Sequence, residues 1–219
     1  MSDIVIGILT WIVFWFGVWG IYLYLWNNNF RTSDIIIDNF AVRNFKLVSL
    51  FFFIVSLILI FLFRSIFLEI TKEFTFIPFI FLILALTADV FAYKYKKKIK
   101  LNKKIDFPFF KGDYRYLASK FFQILFQQVL IIVLIFSLLT FKFAYLVFML
   151  IFAISHLPLF PIFGKKLGTI FLIASAFGAL IFFFLILKFN YGFVYSFAAH
   201  SLFYTLLAEM FWHTKAMKN

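Results

Sequence analysis

The chain reads as an all-α membrane protein: a polytopic bundle of about seven transmembrane helices, N-terminus outside and C-terminus inside. Three observations lead there. Hydrophobic residues make up 65% of the 219 and charged residues 14%, where a soluble domain is nearer half apolar and a quarter charged. Seven apolar stretches approach or exceed the roughly 20 residues that a helix needs to cross hydrocarbon. Lys and Arg alternate between the joining segments as the positive-inside rule requires. Lipid is therefore the solvent, and 1–219 is one transmembrane domain.

The elements follow in order. The first span covers 4–26. Only Met1, Ser2 and Asp3 precede it, it is too long for the apolar core of a signal peptide, and no cleavage pattern follows, so it reads as a retained helix. Further spans lie near 47–63, 76–93, 121–141, 143–163, 167–187 and 191–212. Lys142 alone divides the fourth from the fifth, which predicts a tight hairpin. Asn190, Tyr191 and Gly192 predict a turn before the seventh. The span 47–63 is rich in Leu, Ile and Phe and poor in the small residues that let helices approach closely in lipid, so it is expected at the periphery.

With the N-terminus outside, 17 of the 21 Lys and Arg fall on inner segments and four (Arg64, Lys72, Lys142 and Lys188) on outer ones. The inner set centres on a basic loop, 94–120, expected to touch anionic lipid at the cytoplasmic face. This arrangement accounts for the net charge of +12 without nucleic acid. The expected partners are the lipid bilayer and other membrane proteins, in a prokaryotic cytoplasmic membrane. The chain has no cysteine, which removes disulfides, thiolate metal ligands and a cysteine nucleophile.

A few polar groups sit where hydrocarbon offers no hydrogen-bond partner. At about 1.5 Å per residue, Gln127, His156 and Asp89 lie roughly 20 Å from the outer face, and His200 roughly 14 Å. Ser119, Gln123 and Gln127 share a helical stripe, as do Ser196, His200 and Tyr204. Pro158 and Pro161 cannot donate to the carbonyls of Ile154 and Leu157, so the fifth helix should kink or end beside His156. Each group has a structural reading too: Gln and His serve as interhelical glue, Asp89 can pair with the lysines after it, and Glu209 and His213 form a simple surface pair one turn apart.

Three segments carry a family resemblance. Phe152-Ala-Ile-Ser-His156 has the form Phe-x-x-x-His. His200-Ser-Leu-Phe-Tyr204 has the His of His-x-x-x-Asn, with Tyr204 in place of Asn. Gln127-Gln128 stands where a Glu-Glu-x-x-x-Arg motif would fall, without the arginine. The pattern over residues 115–208 resembles the CAAX-protease and bacteriocin-processing (CPBP) family of intramembrane proteases. The resemblance implies a helical bundle whose site positions are Gln127, Gln128, His156, His200 and Tyr204. In that family a Glu activates water and the histidines assist. Amides cannot accept and release a proton near neutral pH, so a general base is missing at that position.

The first expectation is therefore a non-proteolytic relative, a membrane-embedded binding or partner subunit. The alternative is a working endopeptidase that recruits another acid, Asp89. Transport along the polar band and haem ligation by His156 and His200 are further readings. No cofactor is expected, and no metal, since two histidines and amides make a poor zinc set. His156 and His200 are expected to face one interior cavity bordered by Gln127 or Gln128. The last span has no lysine for a Schiff base, which speaks against a retinal protein.

Overall fold

The computed structural model describes residues 3–18, 20–21, 44–71, 76–80, 82–84, 87 and 114–211. Asp89, the stretch 94–113, His213 and the side chain of Glu209 lie outside the described residues. Within them every regular element is helical. Helix α1 spans Asp3–Trp11 and continues into a π-helical turn, Ile12–Phe16. Helix α2 spans Phe45–Leu62 and, after a turn at Phe63, α3 spans Arg64–Ile70. Helices α4 (Tyr114–Leu138), α5 (Ala144–Ile154), α6 (Phe160–Lys188) and α7 (Gly192–Phe211) complete the series. Three helical stretches are long and apolar enough to cross a membrane: Phe45–Leu62, Leu117–Leu138 and Gly168–Lys188.

Helix α4 is the centre. Of its apolar window 72% is buried, against 28% for each of the other two. From Phe126 to Ile135 every residue is buried, so this helix is covered on all sides, as a hydrophobic helix inside a bundle must be. Helices α1, α2 and α7 all pack on it. Helix α2 offers α4 one stripe, Val48, Phe52, Ser56 and Leu59, all buried. Leu50, Ile54, Leu57 and Phe61 point outward. It is peripheral, as its composition predicts.

Two boundaries differ from the hydropathy reading. Helix α4 begins at Tyr114, not near 121. Its first two turns carry Arg115 and Lys120, so a hydropathy profile stops short of them although the backbone is already helical. At about 1.5 Å per residue, its 25 residues extend roughly 37 Å, more than a bilayer core. The stretch 143–163 is not one helix. Helix α5 stops at Ile154 after 11 residues, roughly 16 Å, and Leu157–Leu159 form a 3-10 turn. Helix α6 then starts at Phe160 and runs without a break through Lys165 and Lys166.

The prolines explain this break. Neither can donate a backbone hydrogen bond. Pro158 sits at the start of the 3-10 turn, and Pro161 falls in the first turn of α6, where a missing N–H is tolerated. The last turn of α5 tightens in response: His156 N–H bonds the carbonyl of Ala153, three residues back, at 2.9 Å. That step frees the carbonyl of Phe152 for a side chain.

The predicted turns are present. Residues 139–143 form the hairpin between α4 and α5. Tyr191 takes a left-handed conformation, φ 55°, rare for a residue with a Cβ. Its ring packs edge-on to Phe79 at 5.5 Å, and its hydroxyl donates to the carbonyl of Thr71 at 3.2 Å. These contacts hold the turn before α7 against the end of α3.

Candidate functional site

The site starts from the carbonyl of Phe152. His156 Nδ1 lies 2.8 Å from it. A carbonyl only accepts, so Nδ1 carries the proton and Nε2 presents a lone pair. The Phe-x-x-x-His spacing thus has a local meaning: it sets the imidazole one turn below the carbonyl that orients it. The Phe152 ring also flanks the imidazole, with centroids 5.0 Å apart.

Helix α1 covers this end of α5. Trp11 and Trp15 are almost fully buried and stack at 4.6 Å with planes 13° apart. Both indoles donate to one residue. Trp11 Nε1–H reaches Ser155 Oγ at 2.9 Å and Trp15 Nε1–H reaches the Ser155 carbonyl at 3.2 Å. Ser155 Oγ in turn donates to the carbonyl of Ile151 at 2.7 Å. Trp15 closes on the imidazole of His156 at 5.7 Å. The π turn lies over this contact, as π-helical turns often do at functional sites.

The second imidazole is held from α4. Gln128 and His200 are both buried, and Gln128 Nε2 lies 3.1 Å from His200 Nδ1. Ser196, one turn before His200, donates its hydroxyl to Gln128 Oε1 at 2.5 Å. That distance belongs to an O–H···O bond and is too short for N–H···O. The amide oxygen therefore faces Ser196, and the amide N–H faces His200. His200 accepts on Nδ1 and carries its proton on Nε2. The ring packs at a tilt against Phe182 at 5.0 Å and Tyr204 at 5.3 Å. Lys120 Nζ stands 4.7 Å from the Tyr204 ring centroid, a cation–π distance.

An aromatic bridge joins the two halves. Phe152 and Phe182 meet edge to face at 6.2 Å, and each flanks one imidazole.

Of the site positions read from sequence, His156, Gln128, His200 and Tyr204 are drawn into one chain of contacts. Of the two amides, Gln128 makes the hydrogen bond to an imidazole. Gln127 is buried on α4 as well, without a hydrogen bond to either histidine. Among the described residues, no three His, Asp or Glu side chains gather as a metal set. Trp11, Trp15, Ser155, Ser196 and Phe182 are additional residues of the site. Trp11 and Trp15 carried a signal in their four-residue spacing, but in a chain with 25% aromatic residues it did not stand out. No protein-family model, curated protein or solved structure matches the chain.

Proposed function

We propose that this chain is a membrane-embedded binding or partner subunit on a CPBP-like helical bundle, without proteolytic activity. The observation that carries the reading is the bond from Gln128 to His200. At the position where the resemblance implies a water-activating Glu, an amide is locked by Ser196 on one side and by the imidazole on the other. An amide so held donates and accepts hydrogen bonds but does not take a proton from water. What remains is a polar, aromatic-walled pair of imidazoles suited to recognition.

The test is a cleavage assay. The purified protein in bilayer is incubated with a transmembrane peptide library, beside His156→Ala and His200→Ala variants. The wild type is expected to match the variants and the protein-free background. Cleavage that either substitution abolishes would overturn the reading in favour of an endopeptidase using another acid.

The same reading carries a topology: seven spans with the N-terminus outside and the C-terminus inside, and the basic stretch 94–113 in the cytoplasm. The count of Lys and Arg by segment supports it. A reporter fused after Lys104 should score as cytoplasmic in an alkaline phosphatase and green fluorescent protein pair of fusions. Strong phosphatase activity there would reverse the assignment.

A further inference from the structure

The break after α5 leaves a carbonyl that helix α1 completes. On either side of the 3-10 turn the backbone keeps the i→i−3 register: His156 N–H bonds the Ala153 carbonyl at 2.9 Å, and Phe160 N–H bonds the Leu157 carbonyl. In that register the donor to the Ser155 carbonyl is residue 158, which is proline and has no N–H. Trp15 Nε1–H, from another helix, stands in its place at 3.2 Å. A buried carbonyl without a donor is costly, so the proline and the tryptophan are complementary.

The peptide unit so held is the one that leads into His156. Its C=O belongs to Ser155 and its N–H to His156. Trp15 pins the first, and the Ala153 carbonyl pins the second. While the unit is pinned, the His156 N–H is kept off the Phe152 carbonyl, its acceptor in a regular α-helix. That carbonyl is then left to His156 Nδ1–H, at 2.8 Å. Trp11 holds the Ser155 side chain in parallel, with Nε1–H on Oγ at 2.9 Å. Helix α1 is also seated on α4, where a methyl group on Gly7 would overlap the Ser137 side chain. Loss of one indole N–H therefore leaves the helix in place.

We propose that Trp15 is a positioning residue of the site: by supplying the donor that Pro158 lacks, it fixes the tautomer of His156 and the direction of its Nε2 lone pair. This rests on the binding reading only in assigning His156 to the site. The readout below is a property of the imidazole and is indifferent to cleavage, so failure of one is distinguishable from failure of the other.

The experiment uses the full chain with 15N-labelled histidine in nanodiscs of phosphatidylcholine. The chain has three histidines, and His213→Ala and His156→Ala variants assign the resonances. The wild type should show His156 protonated on Nδ1 alone. β-(3-Benzothienyl)alanine at position 15 keeps the fused ring and replaces the N–H by sulfur. It should move the two His156 ring-nitrogen resonances toward each other, as exchange between tautomers does, and leave those of His200 in place. Pro158→Ala restores the backbone donor. Alone it should leave His156 unchanged, and combined with the sulfur analogue it should return His156 to the Nδ1–H form. A His156 unmoved by the analogue overturns the proposal, as does an equal shift of His200 or a double variant that is not restored. Two wild-type results overturn it even if the variants fail to fold: His156 protonated on Nε2, or no dipolar recoupling between Trp15 15Nε1 and the 13C-labelled Ser155 carbonyl.

Discussion

Replacing Trp15 with alanine is expected to cost about 3–5 kcal/mol of stability, the usual range for emptying an aromatic site in a core. Only 2% of this residue is exposed. Its ring stacks on Trp11 and packs against Phe152 at 5.8 Å and His156 at 5.7 Å, and its N–H satisfies the Ser155 carbonyl. In a bilayer the transfer of apolar surface contributes little, since lipid tails are as apolar as the side chains they replace. The cost then sits in lost dispersion contacts around a cavity and in a carbonyl left without its donor. Thermal unfolding in detergent, followed by far-UV circular dichroism, measures it. Leu57→Ala on the outward face of α2, where the residue is 48% exposed, is the control and should change stability by less than about 0.5 kcal/mol. Equal losses in the two variants would mean that α1 is not packed over α5 in this way.

Gly192→Ala is expected to cost at least about 3 kcal/mol, at the upper end of overpacking effects. A methyl group there would overlap the carbonyl oxygen of Leu185 and come within 2.6 Å of its carbon and 2.8 Å of Ile186 Cα. All three atoms are backbone, so no rotamer change relieves the clash. The neighbouring turn has no slack either. Tyr191 is already left-handed, and Gly192 N–H is bonded to the Phe189 carbonyl at 2.9 Å. Relief requires α7 to move away from the end of α6, which displaces His200 from Phe182 and Gln128. The substitution should therefore change the His200 imidazole resonances as well as the melting temperature. Unchanged resonances with wild-type stability would show that the approach of Gly192 to Leu185 is not this close.

The polar and breaking residues were the legible part of this sequence. Pro158 and Pro161 announced the end of α5 because a missing N–H has one structural meaning in a helix. That Gln127 or Gln128 would meet an imidazole was legible because buried polar groups in an apolar bundle must find partners; that it is Gln128 was not. The turn at 190–192 was legible from Asn and Gly. The apolar majority was less informative, since a Phe toward lipid and a Phe toward a histidine read alike. That is why Phe182 was missed while Phe152, marked by its spacing to His156, was not. The tryptophans of α1 were missed for a related reason. Tryptophan in a membrane span usually marks the interface, and only a partner 140 or more residues away shows that these two are interior. The early start of α4 was hidden because hydropathy measures apolarity and not helicity.

The long reach of the two indole bonds has a consequence for biogenesis. Trp15 and Ser155 are 140 residues apart, and α4, on which α1 and α2 both pack, is translated well after either of them. At about 5–20 residues per second, roughly 7–30 s pass between the synthesis of α1 and that of its acceptor. During that interval two N–H donors have no native partner. Assembly of this bundle is then a late event, triggered from the middle of the chain outward. A nascent chain arrested before Ser155 should leave both indoles without their acceptors, the tryptophans still reporting a wet environment.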